Sequence, residues 1–151
     1  MKQKLPEPML KAFTEAQAAA TRGEVPVGAV IVNPEGRIIA AAGNRTLELK
    51  DPTAHAEILA IRAAAQVLSS ERLTNCDLYV TLEPCAMCAA AISFSRIRRI
   101  YFAASDEKMG AVENGPRFFT QSTCHHAPEV YSGIGEGEAQ ELLKSFFKER
   151  R

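Results

Sequence analysis

Apolar and polar residues follow two periods along the chain, one typical of helices and the other of strands. From Met9 to Arg22 the apolar and small residues recur at helical spacing, which predicts an amphipathic helix that Gly23 ends. Two apolar runs, 27–32 and 38–42, flank the turn-forming residues 33–36, a pattern typical of a β-hairpin. The chain is therefore predicted to start with a helix followed by two paired strands.

The rest of the chain continues to alternate between helices and strands. A second helix is predicted over 54–68, beginning near Thr53, whose hydroxyl suits an N-cap. Residues 105–137 are predicted to be mostly irregular, and a connection of that length usually has a function or is flexible. This order predicts an α/β fold with three layers around one sheet. The remaining predicted elements are a strand at 78–82, a helix over 85–94 opened by Pro84, a strand at 100–103, a short strand near 130–131 and a helix at 138–150.

Length and charge narrow the class of protein. A chain of 151 residues can bury one hydrophobic core, so we expect a single domain over residues 1–151. The 18 basic and 18 acidic residues balance, which excludes the strongly basic nucleic-acid binders and requires any polyanion to bind at a local patch. No apolar run predicts a signal peptide or a membrane span, so a cytoplasmic location is expected. Two groups could form a basic patch, although a solvated turn and a solvated helix face explain them as well: Arg96, Arg98 and Arg99, and Lys144, Lys148, Arg150 and Arg151.

Two of the four cysteines, Cys85 and Cys88, stand three positions apart at the start of a predicted helix. Their sulfurs would lie on one face of that helix, where one ion can bind both, and the positive end of the helix dipole favours thiolates. A lone C-x-x-C pair is also typical of a redox couple or of half a structural zinc site, and it occurs by chance. The pair alone leaves these interpretations open.

His55 and Glu57 stand two positions apart at the start of another predicted helix. Inside a helix such side chains point ~200° apart, but at its threshold, before helical dihedrals are established, both can converge on one point. If the two helices start at neighbouring strand ends, His55 can join Cys85 and Cys88 around one Zn²⁺ with a fourth position left for water. Glu57 can then carry that water's proton. The alternative is a polar helix-start residue beside an exposed acid that favours the helix dipole.

These segments resemble a known family signature. His55-Ala56-Glu57 and Pro84-Cys85-Ala86-Met87-Cys88 are similar to the H-x-E and P-C-x-x-C blocks of the zinc-dependent nucleobase deaminases. The likeness is greatest to the bacterial-type tRNA-specific adenosine deaminases. It extends over further blocks at 24–30, 43–45, 51–57, 78–85 and 95–97, and over Asp106, Lys108, Gly110 and Phe146-Phe147.

This resemblance implies both a fold and a reaction. The fold would be cytidine-deaminase-like, a three-layer α/β/α arrangement with a five-stranded mixed sheet, in a homodimer with one Zn²⁺ per subunit. The reaction would be hydrolytic deamination of adenosine to inosine at the wobble position of a tRNA anticodon. An unpaired loop base costs less to extrude than a base in a duplex, which suits an anticodon stem-loop as the substrate.

The resemblance also implies contacts with the substrate. Asn44 corresponds to the amide that hydrogen-bonds the target base, Val27 packs on that base, and Asp106 lies near the flanking nucleotides and the ribose. The backbone from Leu82 through Glu83 to Pro84 lies next to the metal and can hydrogen-bond the base edge. The end of the last helix, 146–151, would touch the anticodon loop. Simpler interpretations exist for several of these, with Asn44 in a turn, Val27 in the core and both phenylalanines in helix packing.

Two other functions stay open at this point. A deaminase of a free nucleobase, nucleoside or nucleotide, of the guanine or cytosine type, would use the same blocks. A zinc-stabilised RNA-binding module would arise if Cys76, Cys124, His125 or His126 supplied a fourth ligand and closed the site. Residues 124–126 lack a regular ligand spacing, so we expect a surface loop there. Residues 109–126 depart from the family pattern, and the substrate contacts of that segment do not follow from the resemblance.

Overall fold

The chain forms a helix and a hairpin, then strands and helices in turn. The computed structural model describes residues 4–150. The helices are α1 Glu7–Thr21, α2 Ala56–Leu68, α3 Ala86–Phe94 and α4 Glu136–Glu149, and the strands are β1 Gly28–Val32, β2 Ile38–Gly43, β3 Asp77–Leu82, β4 Arg99–Ala104 and β5 Glu129–Tyr131. Each predicted helix and strand is present, with its ends displaced by a few residues. One turn of 3-10 helix over Phe118–Thr120 was not predicted.

The strands form a mixed five-stranded sheet in the order β2-β1-β3-β4-β5. Strand β1 pairs antiparallel with both β2 and β3, whereas β3–β4 and β4–β5 are parallel. Because β3 and β4 are parallel and in register, with Leu82 opposite Ala104, their carboxyl ends meet at one edge of the sheet. This topology confirms the predicted cytidine-deaminase-like sheet.

Alternate residues of the strands face two separate cores, since successive side chains of a strand point to opposite sides of the sheet. Helices α2 and α3 cover one face and α1 and α4 cover the other, which confirms the three layers. The first core contains Ile31, Leu78, Val80, Ile100 and Phe102, and the second contains Val30, Val32, Tyr79, Tyr101 and Ala103. Helix α1 lies close to the sheet because Gly28 has no side chain, and a Cβ there would collide with the carbonyl of Ala12.

Helix α2 begins later than the sequence predicts. The side chain of Asp51 accepts both the N–H and the hydroxyl proton of Thr53, at 2.9 and 2.7 Å, so residues 51–53 form a turn. The N-cap is His55, with extended dihedrals of φ −74° and ψ 154°, and the helix starts at Ala56. The prediction of Thr53 as the N-cap is therefore wrong, because the hydroxyl bonds back to Asp51 instead of forward into the helix.

The basic group of Arg96, Arg98 and Arg99 lies at the amino end of β4, at the sheet edge opposite the carboxyl ends of β3 and β4. Arg98 donates to both carboxylate oxygens of Asp77 at 3.0 Å, and Arg99 lies 3.4 Å from the carboxylate of Glu129. Two of its three arginines are thus paired, which favours the solvated-turn interpretation. Within residues 4–150 no helix has the length and apolar character needed to cross a membrane.

Candidate active site

The candidate site lies at the carboxyl edge of the central strands, where two helices begin. Strand β3 ends at Leu82, and Cys85 is the N-cap of α3. His55 is the N-cap of α2. Both N-cap residues have extended dihedrals, so their side chains are free of the angular constraint inside a helix. Because His55 and Cys85 precede the first turn of their helices, their side chains can point toward one another.

Three side chains converge with the spacing of a tetrahedral metal site. The Nδ1 atom of His55 lies 3.7 Å from the sulfur of Cys85 and 3.5 Å from that of Cys88, and all three atoms are within 4.8 Å of one another. With Zn–S bonds of about 2.3 Å and Zn–N bonds of about 2.0–2.1 Å, tetrahedral angles place nitrogen and sulfur ~3.5 Å apart. The donor set of one nitrogen and two sulfurs and its dimensions therefore fit Zn²⁺.

The other cysteines and histidines lie away from this cluster. Over residues 4–150, His55, Cys85 and Cys88 are the one group of at least three acidic, cysteine or histidine side chains that meets the geometry of a metal site. Cys76 precedes β3 at the opposite edge of the sheet, the Cys124 thiol lies 3.2 Å from the carbonyl of His126, and Nε2 of His126 lies 2.7 Å from the carbonyl of Ile97. A zinc with three protein ligands keeps one position for water, the arrangement of catalytic sites.

The two thiols differ in their affinity for a proton. Hydrogen bonds from Cys88 and His55 to the Cys85 sulfur lower the pKa of Cys85 to about 4 against the opposing effect of burial. The same contact raises the pKa of Cys88, and the contact with Cys85 raises the pKa of His55. Cys85 is therefore the more acidic thiol of the pair, and the thiolate is the form that binds a metal.

Glu57 lies in the first turn of α2 and is 3 % exposed, so the interpretation of it as an exposed acid does not hold. Burial raises the pKa of Glu57 to about 7, which the backbone N–H of Glu57 and the charge of His55 oppose. The carboxyl interacts with the Cys88 side chain. An acid with such a pKa, buried next to three metal ligands, has the properties of a proton carrier.

Asn44 is buried between β2 and the start of α2. Its Oδ1 accepts the N–H of Ala56 at 2.7 Å, its N–H donates to the carbonyl of Val27, and its carbonyl accepts from Arg22 Nη2 at 3.0 Å. The first bond fixes the side chain, and the other two hold the backbone of Asn44. Because the side-chain oxygen faces the helix, Nδ2 points away from the helix. Asn44 therefore supplies the cap that the sequence assigned to Thr53.

The other predicted base contacts lie around the same edge. The side chain of Val27 is 5 % exposed and packs in the core, so little of it can reach a ligand. Leu82 is the last residue of β3 and is partly exposed. The carbonyl of Pro84 accepts the N–H of Ala111 at 2.9 Å, so one of its lone pairs is already occupied.

Asp106 follows β4 and organises a tight turn. Its Oδ1 accepts the N–H groups of Lys108 and Met109 at 3.1 Å each, and its carbonyl accepts the N–H of Gly110. One carboxylate oxygen is thus used within the turn, and the other makes no hydrogen bond to residues 4–150. The turn lies directly beside Cys85, which forms an isolated β-bridge with Gly110.

The two phenylalanines near the end of α4 differ in exposure. Phe146 is 6 % exposed and lies under the guanidinium of Arg150 at 3.7 Å, whereas Phe147 is 48 % exposed. Phe146 thus packs within the protein and Phe147 alone of the pair presents a ring. Arg151 lies outside the described residues.

The sequence analysis missed two buried carboxylates, Glu24 and Glu83, each 2 % exposed. Burial raises the pKa of each, but hydrogen bonds from loop N–H groups outweigh it and hold both pKa values below the usual range. The one local signal was an acidic residue next to a strand, at Glu24 before Val25-Pro26 and at Glu83 after Leu82. Their partners lie more than twenty residues away and leave no pattern near either glutamate.

Comparison with known proteins relates both the fold and the site to other chains. Residues 2–104 match the family model of the cytidine and deoxycytidylate deaminase zinc-binding region. The tRNA-specific adenosine deaminase of Agrobacterium fabrum is 63 % identical over 140 residues, which cover 93 % of this chain and 91 % of that protein. The tRNA-specific adenosine deaminase of Rickettsia bellii is 49 % identical over 95 % of this chain and 99 % of its own.

Two solved structures are also similar to this chain, over different shares of its length. A structure from studies of A-to-I editing by tRNA:A34 deaminases at the wobble position of transfer RNA has a TM-score of 0.89 and 62 % identity, covering 90 % of this chain and 98 % of its own. The guanine deaminase of Bacillus subtilis has a TM-score of 0.63 and 42 % identity, covering 65 % of this chain and 62 % of its own.

Proposed function

Since the chain belongs to the zinc-binding cytidine and deoxycytidylate deaminase family, we infer that it deaminates adenosine to inosine at the wobble position of a tRNA anticodon. The observation that carries this function is the likeness to a tRNA:A34 deaminase structure over nearly the whole length of both chains. The geometry of the donor set supports it, because His55, Cys85 and Cys88 have the spacing of a three-ligand zinc site.

The reaction replaces the 6-amino group of adenine by oxygen from water and releases ammonia. When bound by its three ligands, Zn²⁺ lowers the pKa of a water molecule and makes it a nucleophile at neutral pH. Glu57 would take one proton of the attacking water as its oxygen bonds to C6 of the base, and pass it to the ring nitrogen N1. It would then take the second proton from the new C6 hydroxyl and give it to the amino group, so that the C6–N bond breaks, ammonia leaves and a carbonyl remains at C6.

Asn44 orients the base through the one polar group of its side chain that is not already used. Its Oδ1 already accepts the N–H of Ala56, whereas its Nδ2 makes no hydrogen bond to residues 4–150, so Nδ2–H is the group that it offers to a substrate. That group is a donor, so it pairs with an acceptor on the purine, such as a ring nitrogen. The bond from the N–H of Ala56 already orders the side chain, so it loses less entropy when the base binds.

The remaining contacts lie around the base. Val27 supports one face of the ring through the small part of its side chain that is exposed. The backbone at Leu82 and the second lone pair of the Pro84 carbonyl face the base edge, and Asp106 contacts the flanking nucleotides through its free carboxylate oxygen. Phe147, which is half exposed, contacts the anticodon loop together with the basic end of α4.

The protein works as a homodimer in the cytoplasm. Phe94, at the end of α3, is 77 % exposed, which is more than any other large apolar side chain of residues 4–150 and supports burial in an interface. Light scattering tests the assembly directly: we expect twice the mass of one chain, and a substitution of Phe94 by Ser should shift that mass toward the monomer. A wild-type monomer at micromolar concentration would refute the homodimer.

A deaminase of a free base is the second candidate, because the guanine deaminase of Bacillus subtilis is 42 % identical over the part of the chain that it matches. Zinc-loaded protein is incubated with an anticodon stem-loop that carries wobble adenosine, with guanine and with cytosine. Inosine formation in the RNA supports the proposed function. Release of ammonia from guanine or cytosine, with no inosine in the RNA, would support the free-base deaminase instead.

A further inference from the structure

Glu83 is a buried carboxylate that the reaction described above does not use. It lies between the end of β3 and the zinc ligand Cys85, and it is 2 % exposed. A carboxylate removed from water is costly unless hydrogen bonds or an opposite charge replace the lost hydration. No lysine, arginine or histidine of residues 4–150 forms a salt bridge with it.

Five N–H groups of one loop segment replace that hydration. The Oε2 atom accepts the backbone N–H groups of Val112, Glu113 and Asn114 at 3.1, 2.9 and 3.1 Å. The Oε1 atom accepts the backbone N–H of Asp106 at 3.0 Å and Nδ2 of Asn114 at 2.7 Å. Two ends of the segment 106–114, eight residues apart, are thus tied to one side chain.

The same segment packs tightly around the carboxyl group. A Cβ on Gly110 would lie 2.5 Å from Cδ and 2.6 Å from Oε2 of Glu83, so this position has room only for glycine. On its other side the segment contacts the metal site, since Gly110 bridges to Cys85 and the N–H of Ala111 bonds to the carbonyl of Pro84. Residues 106–114 therefore form a wall of the active site, and the Glu83 carboxylate lies inside the loop that these residues form.

We propose that Glu83 is a positioning residue, whose carboxylate holds the segment 106–114 against the active site so that Asp106 can contact the RNA beside the target base. The role rests on the proposed function, because it assigns the segment to the substrate. It does not assign Glu83 to the chemistry: the side chain faces the loop and not the metal ligands. Its removal should weaken substrate binding more than turnover.

The test uses Glu83→Gln, which keeps the shape of the side chain but replaces one acceptor oxygen by an NH₂ group. Whichever way the amide turns, that NH₂ meets at least two N–H donors, so it repels the segment it should hold. A buried donor that loses its acceptor typically costs roughly 10–100-fold in an equilibrium constant, and we expect KM for an anticodon stem-loop to rise roughly tenfold with kcat within about threefold. Glu107→Gln is the matched control, because Glu107 is an exposed acid of the same segment.

Two further measurements separate positioning from other effects. Zinc content should stay at one per chain in Glu83→Gln, and hydrogen exchange should accelerate most at the amides that donate to Glu83, those of Asp106 and of residues 112–114. The exchange result does not depend on activity, so it tests the hold of Glu83 on the segment even if the protein makes no inosine. In that case absence of inosine in the wild type would refute the proposed function instead.

Asn114→Ala is the milder variant, since it removes one of the five donors and leaves the carboxylate intact. If Glu83→Gln fails to fold, Asn114→Ala should still show faster exchange at 112–114 and a smaller rise in KM. The proposal is overturned if Glu83→Gln folds and its exchange and KM match those of Glu107→Gln, if it loses zinc, or if kcat falls while KM stays constant.

Discussion

Two loops border the zinc site, and each is held by a buried glutamate. In the first, residues 44–55, hereafter the Asn44 loop, Glu24 accepts the N–H groups of Leu47 and Glu48 at 3.1 and 2.9 Å. In the second, the segment 106–114 described above and hereafter called the Asp106 loop, Glu83 accepts five N–H groups. In both loops a buried carboxylate accepts backbone N–H groups, but the loss of that carboxylate should have different consequences in the two loops.

The difference lies in the other supports of each loop. Asn44 is also bonded to Arg22, Val27 and Ala56, so its position does not depend on Glu24. Asp106 has fewer supports of its own: its side chain bonds only within its own turn, and its N–H bonds to Glu83. Loss of Glu24 should therefore leave Asn44 in place, whereas loss of Glu83 should displace Asp106.

The largest effect should come from a change that leaves both loops intact. Glu57→Gln keeps the shape of the buried side chain but removes its capacity to carry a proton, and general acid–base groups typically contribute roughly 10²–10⁴-fold. We expect kcat for inosine formation to fall by that factor while zinc content and hydrogen exchange in both loops stay unchanged. Wild-type turnover by a zinc-loaded Glu57→Gln protein would refute the proton-carrier role.

Substitution of Asn44 separates its two tasks. Asn44→Asp keeps an oxygen that can accept the N–H of Ala56, so the helix cap persists, but it removes the Nδ2 donor that we propose for the base. Loss of one such hydrogen bond is worth ~1.5–3 kcal/mol when a charged or polarised group is involved, so kcat/KM should fall roughly 10–100-fold.

The comparison variant Asn44→Ala removes both groups at once. It should lose the same activity and in addition ~0.5–2 kcal/mol of stability, since the start of α2 loses its cap. Urea unfolding and initial rates measure the two quantities. An unfolding free energy of Asn44→Ala equal to that of wild type would show that Oδ1 does not cap the helix.

Glu24→Gln and Glu83→Gln compare the two loops directly. Each introduces an NH₂ group that faces N–H donors, and a buried donor without a partner costs about 1–3 kcal/mol. For a chain of this size we expect Tm to fall by roughly 2–10 °C in both. In Glu24→Gln, however, KM and kcat for the stem-loop should stay within about twofold of wild type, because Asn44 keeps its own bonds. An equal rise of KM in the two variants would remove the distinction between the loops.

The smallest effect should be a dependence of stability on pH. Burial would raise the pKa of Glu24, but the N–H groups of Glu48 and Leu47, the Thr46 hydroxyl and the charge of Arg22 outweigh it and hold the pKa below the ordinary 4.5. A group whose pKa is lower in the folded state stabilises fully above its unfolded pKa and loses this contribution as pH falls through the folded value. The difference in unfolding free energy between wild type and Glu24→Gln should therefore be constant from pH 7 to about pH 5 and shrink below 4.5. A constant difference down to pH 3 would contradict the carboxylate form of Glu24.

The sequence predicts the elements and the metal ligands because both leave local signals. Apolar periodicity locates the helices and strands, and the ligands follow at the strand-to-helix junctions that the same periodicity defines. The cap of α2 by Asn44 could not be predicted, since the bond joins residues twelve positions apart and a nearer candidate, Thr53, was available. Glu24 and Glu83 were missed for a similar reason, because their hydrogen bonds reach loops that no local pattern connects to them.

One measurement tests the function most directly. The zinc-loaded protein is incubated with an anticodon stem-loop that carries adenosine at the wobble position and a second adenosine elsewhere in the loop. One part of the RNA is then digested to nucleosides to quantify inosine, and another part is sequenced to locate it. We expect inosine at the wobble position alone, with one ammonia released per inosine, and none with Glu57→Gln. Unchanged adenosine at the wobble position with zinc fully bound would contradict the proposed function.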